Sequence, residues 1–259
     1  MKIGFFDSGI GGLSVMNEAI RQLSGNEFLF FADKKNVPYG TKTKDEVINF
    51  SIEAVSFLID LGAKAVVVAC NTATSAAIVE LRAKFSVPII GMEPAVKRAV
   101  SLKDGKKTLV IATPITIAGQ KLHELLVRTN ASEVADLLAL PRLVEFAESY
   151  EFESRRVREY LKSELAKFDL SEYGSLVLGC THFNYFKDTL REILAPQTKI
   201  LDGIDGTIKR LKSESGAVSL ADKSSKVEYF YSKQKVNQRK ELDRLAMYLK
   251  RLDVMREIE

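Results

Sequence analysis

The chain has two cysteines, Cys70 and Cys180, set in matching surroundings. Val66-Val67-Val68-Ala69-Cys70-Asn71-Thr72 and Leu176-Val177-Leu178-Gly179-Cys180-Thr181-His182 each run from a hydrophobic strand through a small residue to cysteine and two polar residues, which open a helix. A helix N-terminus carries partial positive charge and unpaired N–H groups. It is expected to lower a thiol from its ordinary pKa of about 8.5 toward about 7. It also offers the neighbouring N–H groups to a carboxylate. Two such sulfurs facing one another suit inversion of a carbon acid. One base removes the α-proton from one face while a protonated partner delivers a proton to the other. Each group is base in one direction and acid in the other, so like residues serve best. Asp7 could orient or modulate Cys70, and His182 could do so for Cys180.

Other readings of the same residues stand beside this one. Buried cysteines are common as small apolar core residues. A cytosolic setting disfavours a structural disulfide, and a zinc site needs three or four ligands. Only His123 and His182 could join the cysteines, and neither Cys-x-x-Cys nor Cys-x-x-His occurs, so no metal is expected. Asp7 and His182 could each cap the helix that follows. Gly9-Ile10-Gly11-Gly12 could be a phosphate loop, though it lacks the P-loop lysine and the full Gly-x-Gly-x-x-Gly spacing.

The elements that must position these residues alternate between strand and helix. Strands are expected at Lys2 to Phe6, Phe28 to Ala32, Ala65 to Ala69 and Pro88 to Ile90, with helices at Leu13 to Leu23, Val47 to Leu61 and about Ala73 to Phe85. The series then restarts. Strands fall at Leu109 to Ala112, Val134 to Leu138, Leu176 to Leu178 and Lys199 to Leu201. Helices fall at about Thr116 to Arg128, Leu143 to Ala147, Ser154 to Phe168 and Phe186 to Leu194. Ser213 to Ser225 reads as a loop, Val227 to Tyr231 as a strand, and Glu241 to Leu252 as an amphipathic helix with a solvated charged face. The two cysteine segments lie 110 residues apart, and the opening strands repeat at nearly the same offset. The fold class is therefore α/β: two similar parallel-sheet α/β domains facing each other across a central cleft, related by a pseudo-twofold. Ligands in open α/β sheets bind beyond the carboxyl ends of the strands. Asp7-Ser8-Gly9, the loop from Asp33 to Gly40, Cys70-Asn71-Thr72, Thr113 and Cys180-Thr181-His182 all fall there.

Bulk properties fit this reading. The 259 residues suffice for one large domain or two smaller ones. A net charge of +4 is no nucleic-acid footprint. The N-terminal apolar run is cut short by Asp7 and Ser8, which gives no signal-peptide core, and no stretch reaches the roughly 20 apolar residues of a membrane span. A soluble cytoplasmic protein is expected, with neither membrane nor nucleic-acid partner.

The motifs together resemble a known family. Asp7-Ser8-Gly9-Ile10-Gly11-Gly12-Leu13-Ser14-Val15 is similar to the opening signature of the bacterial glutamate racemases, in the aspartate/glutamate racemase family. Pro38-Tyr39-Gly40, Ala69-Cys70-Asn71-Thr72-Ala73-Thr74 and Leu178-Gly179-Cys180-Thr181-His182-Phe183 follow in the family's order and spacing, and a weaker echo lies at Tyr229 to Ser232. The resemblance runs from Met1 to about Leu201. It implies interconversion of L- and D-glutamate without a cofactor, supplying D-glutamate for peptidoglycan. It makes Cys70 and Cys180 the proton-transfer residues, with Cys70 facing the D-enantiomer and Cys180 the L-enantiomer. Asp7, Ser8, Tyr39, Gly40, Asn71, Thr72, Thr181 and His182 are expected to line the substrate site. Thr113 and Glu145 fall where the family has further site residues. The implied domains are 1–92 plus 206–259 against 93–205, with a homodimer as the possible partner. One departure is visible: the family usually has a proline soon after the aromatic that follows Thr-His, whereas Phe183 is followed here by Asn184 and Tyr185. Three other functions compete: a related racemase such as one acting on aspartate, a thiol redox protein, and a non-catalytic amino-acid binder. Assays on both amino acids, thiol titration and α-proton exchange respectively separate them.

Overall fold

The computed structural model describes residues 1–102, 105–220 and 224–258. The first half runs β1 (Lys2–Asp7), α1 (Leu13–Gln22), β2 (Glu27–Ala32), α2 (Lys44–Asp60), β3 (Ala65–Val68), α3 (Asn71–Lys84) and β4 (Ile89–Gly91). The second half runs α4 (Val96–Ser101), β5 (Lys107–Ala112), α5 (Pro114–Ile117), α6 (Gln120–Arg128), β6 (Ala135–Ala139), α7 (Arg142–Glu148), α8 (Arg155–Leu165), β7 (Tyr173–Leu178), α9 (Lys187–Ile193) and β8 (Lys199–Leu201). The chain closes with α10 (Ile204–Ser215), β9 (Lys226–Tyr231), β10 (Gln234–Lys235) and α11 (Arg239–Arg256).

Two sheets result. Their strand orders are β10-β9-β2-β1-β3-β4 and β6-β5-β7-β8. Without the added β9 and β10, both sheets place their strands second, first, third, fourth, so the two halves repeat one topology. All pairs are parallel except β9 with β10. Central strands covered on both faces must be apolar throughout, and Ala65 to Val68 are all buried. Backbone bonds carry the ladder just past the strand ends: Ala69 N–H to the Phe6 carbonyl (2.8 Å), Asp33 N–H to the Asp7 carbonyl (3.0 Å) and Gly179 N–H to the Ile111 carbonyl (2.7 Å). Asp7, Asp33 and Cys70 therefore leave one sheet edge side by side. Thr113 and Cys180 leave the corresponding edge of the other sheet.

One apolar core spans both halves, from Ile3, Phe5, Phe28 and Phe30 to Leu109, Ile111 and Leu176. At its centre Phe152 stacks on Tyr185 at 5.2 Å, and Tyr248 of α11 meets Tyr185 edge-on at 5.6 Å. After β8 the chain returns to the first sheet: α10 packs on α1 and β4, β9 pairs with β2, and α11 lies against α1. No helix among the described residues is long and apolar enough to cross a membrane.

The expected elements differ from the observed ones chiefly in four places. The helix expected at Thr116 to Arg128 is two helices, α5 and α6, broken at Ala118-Gly119. A Cβ on Gly119 would stand 2.8 Å from Ser75 Oγ, so the chain turns hard against α3 there. The helix expected from Phe186 begins as a 3-10 turn over Thr181–Phe186. α4 was not foreseen. Nor was α10, which occupies the start of the expected 213–225 loop and ends on Gly216 at φ +67°, the left-handed residue that commonly closes a helix. Part of that loop, 221–223, lies outside the described residues.

Candidate active site

The two thiols occupy equivalent strand ends in unlike surroundings. Cys70 is the N-cap of α3, and Ala73 N–H donates to its sulfur at 3.4 Å. Ser8 Oγ lies 3.6 Å from the same sulfur, and both residues are buried. Burial and, next, the charge of Asp7 push the Cys70 thiol up to about 12. The expected depression by the helix terminus does not occur. The Ala73 and Ser8 contacts favour the thiolate, but desolvation and the neighbouring carboxylate outweigh them.

Cys180 heads the 3-10 turn with φ −145°, and its side chain makes no capping bond. Its partner is His182, whose Nδ1 lies 3.8 Å from the sulfur. His182 Nε2 stands 2.8 Å from Glu148 Oε1. That oxygen also accepts Ile10 N–H at 2.7 Å, and Lys34 Nζ lies 3.1 Å from Glu148 Oε2. Burial opposes charge on His182, but the contacts with Cys180 and Glu148 prevail and hold it well above its usual range. Burial likewise opposes the Glu148 carboxylate, yet His182, Lys34 and Ile10 N–H bring it down to about 2. A protonated imidazole thus faces the Cys180 sulfur.

Asp7 joins the halves. It accepts Gly9 N–H at 2.9 Å and the Thr181 hydroxyl at 3.0 Å, so it bonds across the cleft rather than capping α1, whose N-cap is Gly12. Burial raises its pKa against the pull of His182. On the other side of the cleft Thr72 Oγ1 meets Thr113 Oγ1 at 2.9 Å, and Thr113 meets Thr116 at 2.9 Å. Tyr39 donates to Asp33 at 2.7 Å and packs its ring on Phe6. Gly40 abuts Thr113, which a Cβ would approach to 2.8 Å. Among the described residues no donor reaches Asn71 Oδ1, a buried acceptor.

The glycines of the first loop answer to close packing. A Cβ on Gly9 would fall 1.9 Å from Glu148 Oε1, and one on Gly11 would fall 2.4 Å from both His182 Nδ1 and Thr181 Oγ1. The loop is pressed against the Cys180 half-site, which accounts for its composition without a phosphate.

Of the residues expected from the sequence, Cys70, Cys180, Asp7, Ser8, Tyr39, Gly40, Asn71, Thr72, Thr113, Thr181 and His182 gather at these facing edges. Glu145 does not. It lies exposed on α7, and Glu148, one helical turn on at the end of α7, reaches His182 instead. An Asp/Glu periodicity on α7 could not separate the two, because only packing on His182 distinguishes them. Asp33, Lys34, Thr116 and Ser232 also belong to the assembly. Ser232 Oγ donates to Asp33 Oδ1 at 2.9 Å from a turn where Ser232 and Lys233 have φ of 45° and 71°. Among the described residues no group of three or more His, Cys, Asp or Glu is placed to hold a metal ion.

The Asp/Glu/Hydantoin racemase family matches residues 7–211. A glutamate racemase of Campylobacter concisus is 61% identical over 261 residues, covering 100% of both chains. The crystal structure of glutamate racemase from Campylobacter jejuni has a TM-score of 0.82 at 27% identity, covering 96% of this chain and 98% of that one. That of the Escherichia coli glutamate racemase, in complex with L-glutamate and the activator UDP-MurNAc-Ala, has a TM-score of 0.82 at 27% identity and covers 97% and 94%. The chain belongs to the Asp/Glu/Hydantoin racemase family. Within it the protein is an isomerase that stands with the glutamate racemases.

Proposed function

We propose that the protein interconverts L- and D-glutamate by proton transfer between Cys70 and Cys180, without cofactor or metal, in the supply of D-glutamate for a peptidoglycan wall. The observation that carries this is the opposite environment of two thiols at equivalent strand ends: Cys70 held protonated, Cys180 facing a cationic imidazole. Two thiols with unlike partners thus stand on two sides of one cleft, as transfer of a proton from one face of a carbon to the other requires. Cys180 sulfur takes the α-proton of one enantiomer. The electron pair released at Cα spreads into the substrate's α-carboxylate, and the Cys70 thiol gives its proton to the opposite face. The reverse reaction exchanges the two roles.

Binding follows from the groups at hand. Asn71 Oδ1, a buried acceptor that no donor among the described residues reaches, and Asp7 suit an α-ammonium. The Thr72, Thr113 and Thr116 hydroxyls, which meet one another, can turn to donate to a carboxylate. Neutralising Asp7 with the substrate's ammonium removes part of the penalty on a Cys70 thiolate, so binding itself eases the reverse step. The units 1–92 plus 206–259 and 93–205 are the bodies that close on the substrate.

Proton NMR of L-glutamate with the protein in D₂O tests the reading. Loss of the α-proton signal with formation of D-glutamate is expected, unchanged after dialysis against chelator, and L-aspartate should react far more slowly. Activity restored only by zinc or pyridoxal phosphate, or preferred turnover of aspartate, would sink it.

A further inference from the structure

Glu148 is the last residue of α7. A helix C-terminus disfavours an anion, so this carboxylate needs cationic support beyond its hydrogen bonds. Its Oε1 is taken by Ile10 N–H and His182. Its Oε2 faces Lys34, which leaves the end of β2 in the other half of the molecule. Lys34 is held from behind as well, its ammonium 5.0 Å from the centre of the Tyr231 ring at the end of β9. The adjoining turn is fixed by Ser232, which donates to Asp33 at 2.9 Å and accepts Lys35 N–H at 2.9 Å. Lys34 thus bridges a platform on the first sheet and the carboxylate that supports His182 on the second.

We propose that Lys34 is a positioning residue for the Cys180 half-site: its ammonium, seated on Tyr231, pins Glu148 onto His182 when the two halves are closed. The proposal rests on the reading that Cys180 transfers the proton. It predicts one-sided damage. Among the described residues the hydrogen bonds of the Cys70 sulfur go to Ser8 and Ala73 and none to Lys34, Glu148 or His182, so losing Lys34 weakens proton abstraction by Cys180 and spares abstraction by Cys70. An exposed ion pair would contribute almost nothing measurable. Here both groups are mostly buried, with side-chain exposures of 25% for Lys34 and 15% for Glu148.

The pH profile carries a second signature. The groups facing Glu148 are His182 on the 3-10 turn, Lys34 after β2, Asp7 at the end of β1, Arg244 and Tyr248 on α11, Tyr231 on β9 and Tyr185. Arg244 donates to the Glu148 backbone carbonyl at 3.0 Å, and the Tyr248 hydroxyl reaches the Ala147 and Glu148 carbonyls at 3.0 and 3.1 Å, so these bonds go to backbone rather than to the carboxylate. Among these groups, Lys34 and His182 are the cations that lower the carboxylate. Without Lys34 the carboxylate protonates at higher pH.

The experiment compares Lys34→Met and Lys34→Arg, alone and with Glu148→Gln, each checked for a native melt. Elimination from the two enantiomers of a β-chloro amino acid reads abstraction on each face. Racemisation kinetics alone cannot do so, because equal energies of the enantiomers force equal kcat/KM in the two directions. Lys34→Met is expected to slow elimination on the Cys180 side about tenfold, leave the other within about twofold, and move the acid limb of the affected profile upward. Lys34→Arg should restore most of the rate, and Lys34→Met should add nothing in the Glu148→Gln background. Equal losses on both faces, no loss, or failure of Arg to outperform Met overturns the proposal. If Cys180→Ser itself leaves racemisation intact, the two-thiol reading has failed. If Cys180→Ser is dead but Lys34→Met is not one-sided, the role of Lys34 alone has failed.

Discussion

The edge after β3 and the edge after β7 occupy the same place in a repeated topology, yet they solve the thiol problem differently. Cys70 caps a fourteen-residue helix, accepts its N–H group and is still driven up by burial and Asp7. Cys180 makes no capping bond and relies on a side-chain relay, His182 to Glu148 to Lys34. Symmetry of the backbone therefore does not extend to electrostatics. A reaction run in both directions can use two thiols with different partners, since a balanced transfer needs one proton donor and one acceptor at any instant.

The sharpest way to break this comparison is to remove one sulfur at a time. Cys70→Ser and Cys180→Ser should each lower racemisation by about a hundred- to ten-thousandfold, the range that positioned acid–base groups contribute. The survivors should show opposite enantiomer preferences in elimination of chloride. Identical preferences would mean that the sulfurs do not serve opposite faces.

A smaller loss is expected from crowding the contact between the loop and the relay. Gly11→Ala sets a methyl 2.4 Å from His182 Nδ1 and Thr181 Oγ1, so about ten- to hundredfold of kcat should go, in line with the sensitivity of catalysis to misplacement by about 1 Å. A fully active Gly11→Ala protein would show that the relay tolerates displacement.

The relay also has a pH signature in stability. Glu148 is lowered when folded, so its contribution is present above its unfolded value near 4.5 and disappears as pH falls through about 2. His182 is raised, so its contribution is complete below 6.5 and lost as pH rises through its folded value. Glu148→Gln should therefore cost about 1–3 kcal/mol near pH 5–6, shrinking toward pH 2 and again at alkaline pH. Denaturant titrations across that range would show a flat difference if the pair contributes nothing.

The smallest effect concerns the hydroxyls. A neutral hydrogen bond is worth about 0.5–1.5 kcal/mol net, so Thr72→Ala or Thr181→Val should raise KM about three- to tenfold. Unchanged KM and kcat in both variants would remove these hydroxyls from the substrate site.

By itself the sequence determined the alternating elements, the repeat, and which strand ends carry Cys70 and Cys180, because buried parallel strands demand continuous apolar runs and their polar successors can only emerge at the sheet edge. It also marked Asp7, Thr72, Thr113, Thr181 and His182, which sit directly on those edges. It could not choose Glu148 over Glu145. Both are acids on one short helix, and the choice depends on which side of α7 meets a histidine 34 residues away. Nor could it foresee that burial would override the helix terminus at Cys70, or that Gly9 and Gly11 serve close packing. Local pattern reports which backbone a segment adopts. Desolvation, ion pairing and steric contact are set by what the other half of the chain brings against it, and only the tertiary structure decided those.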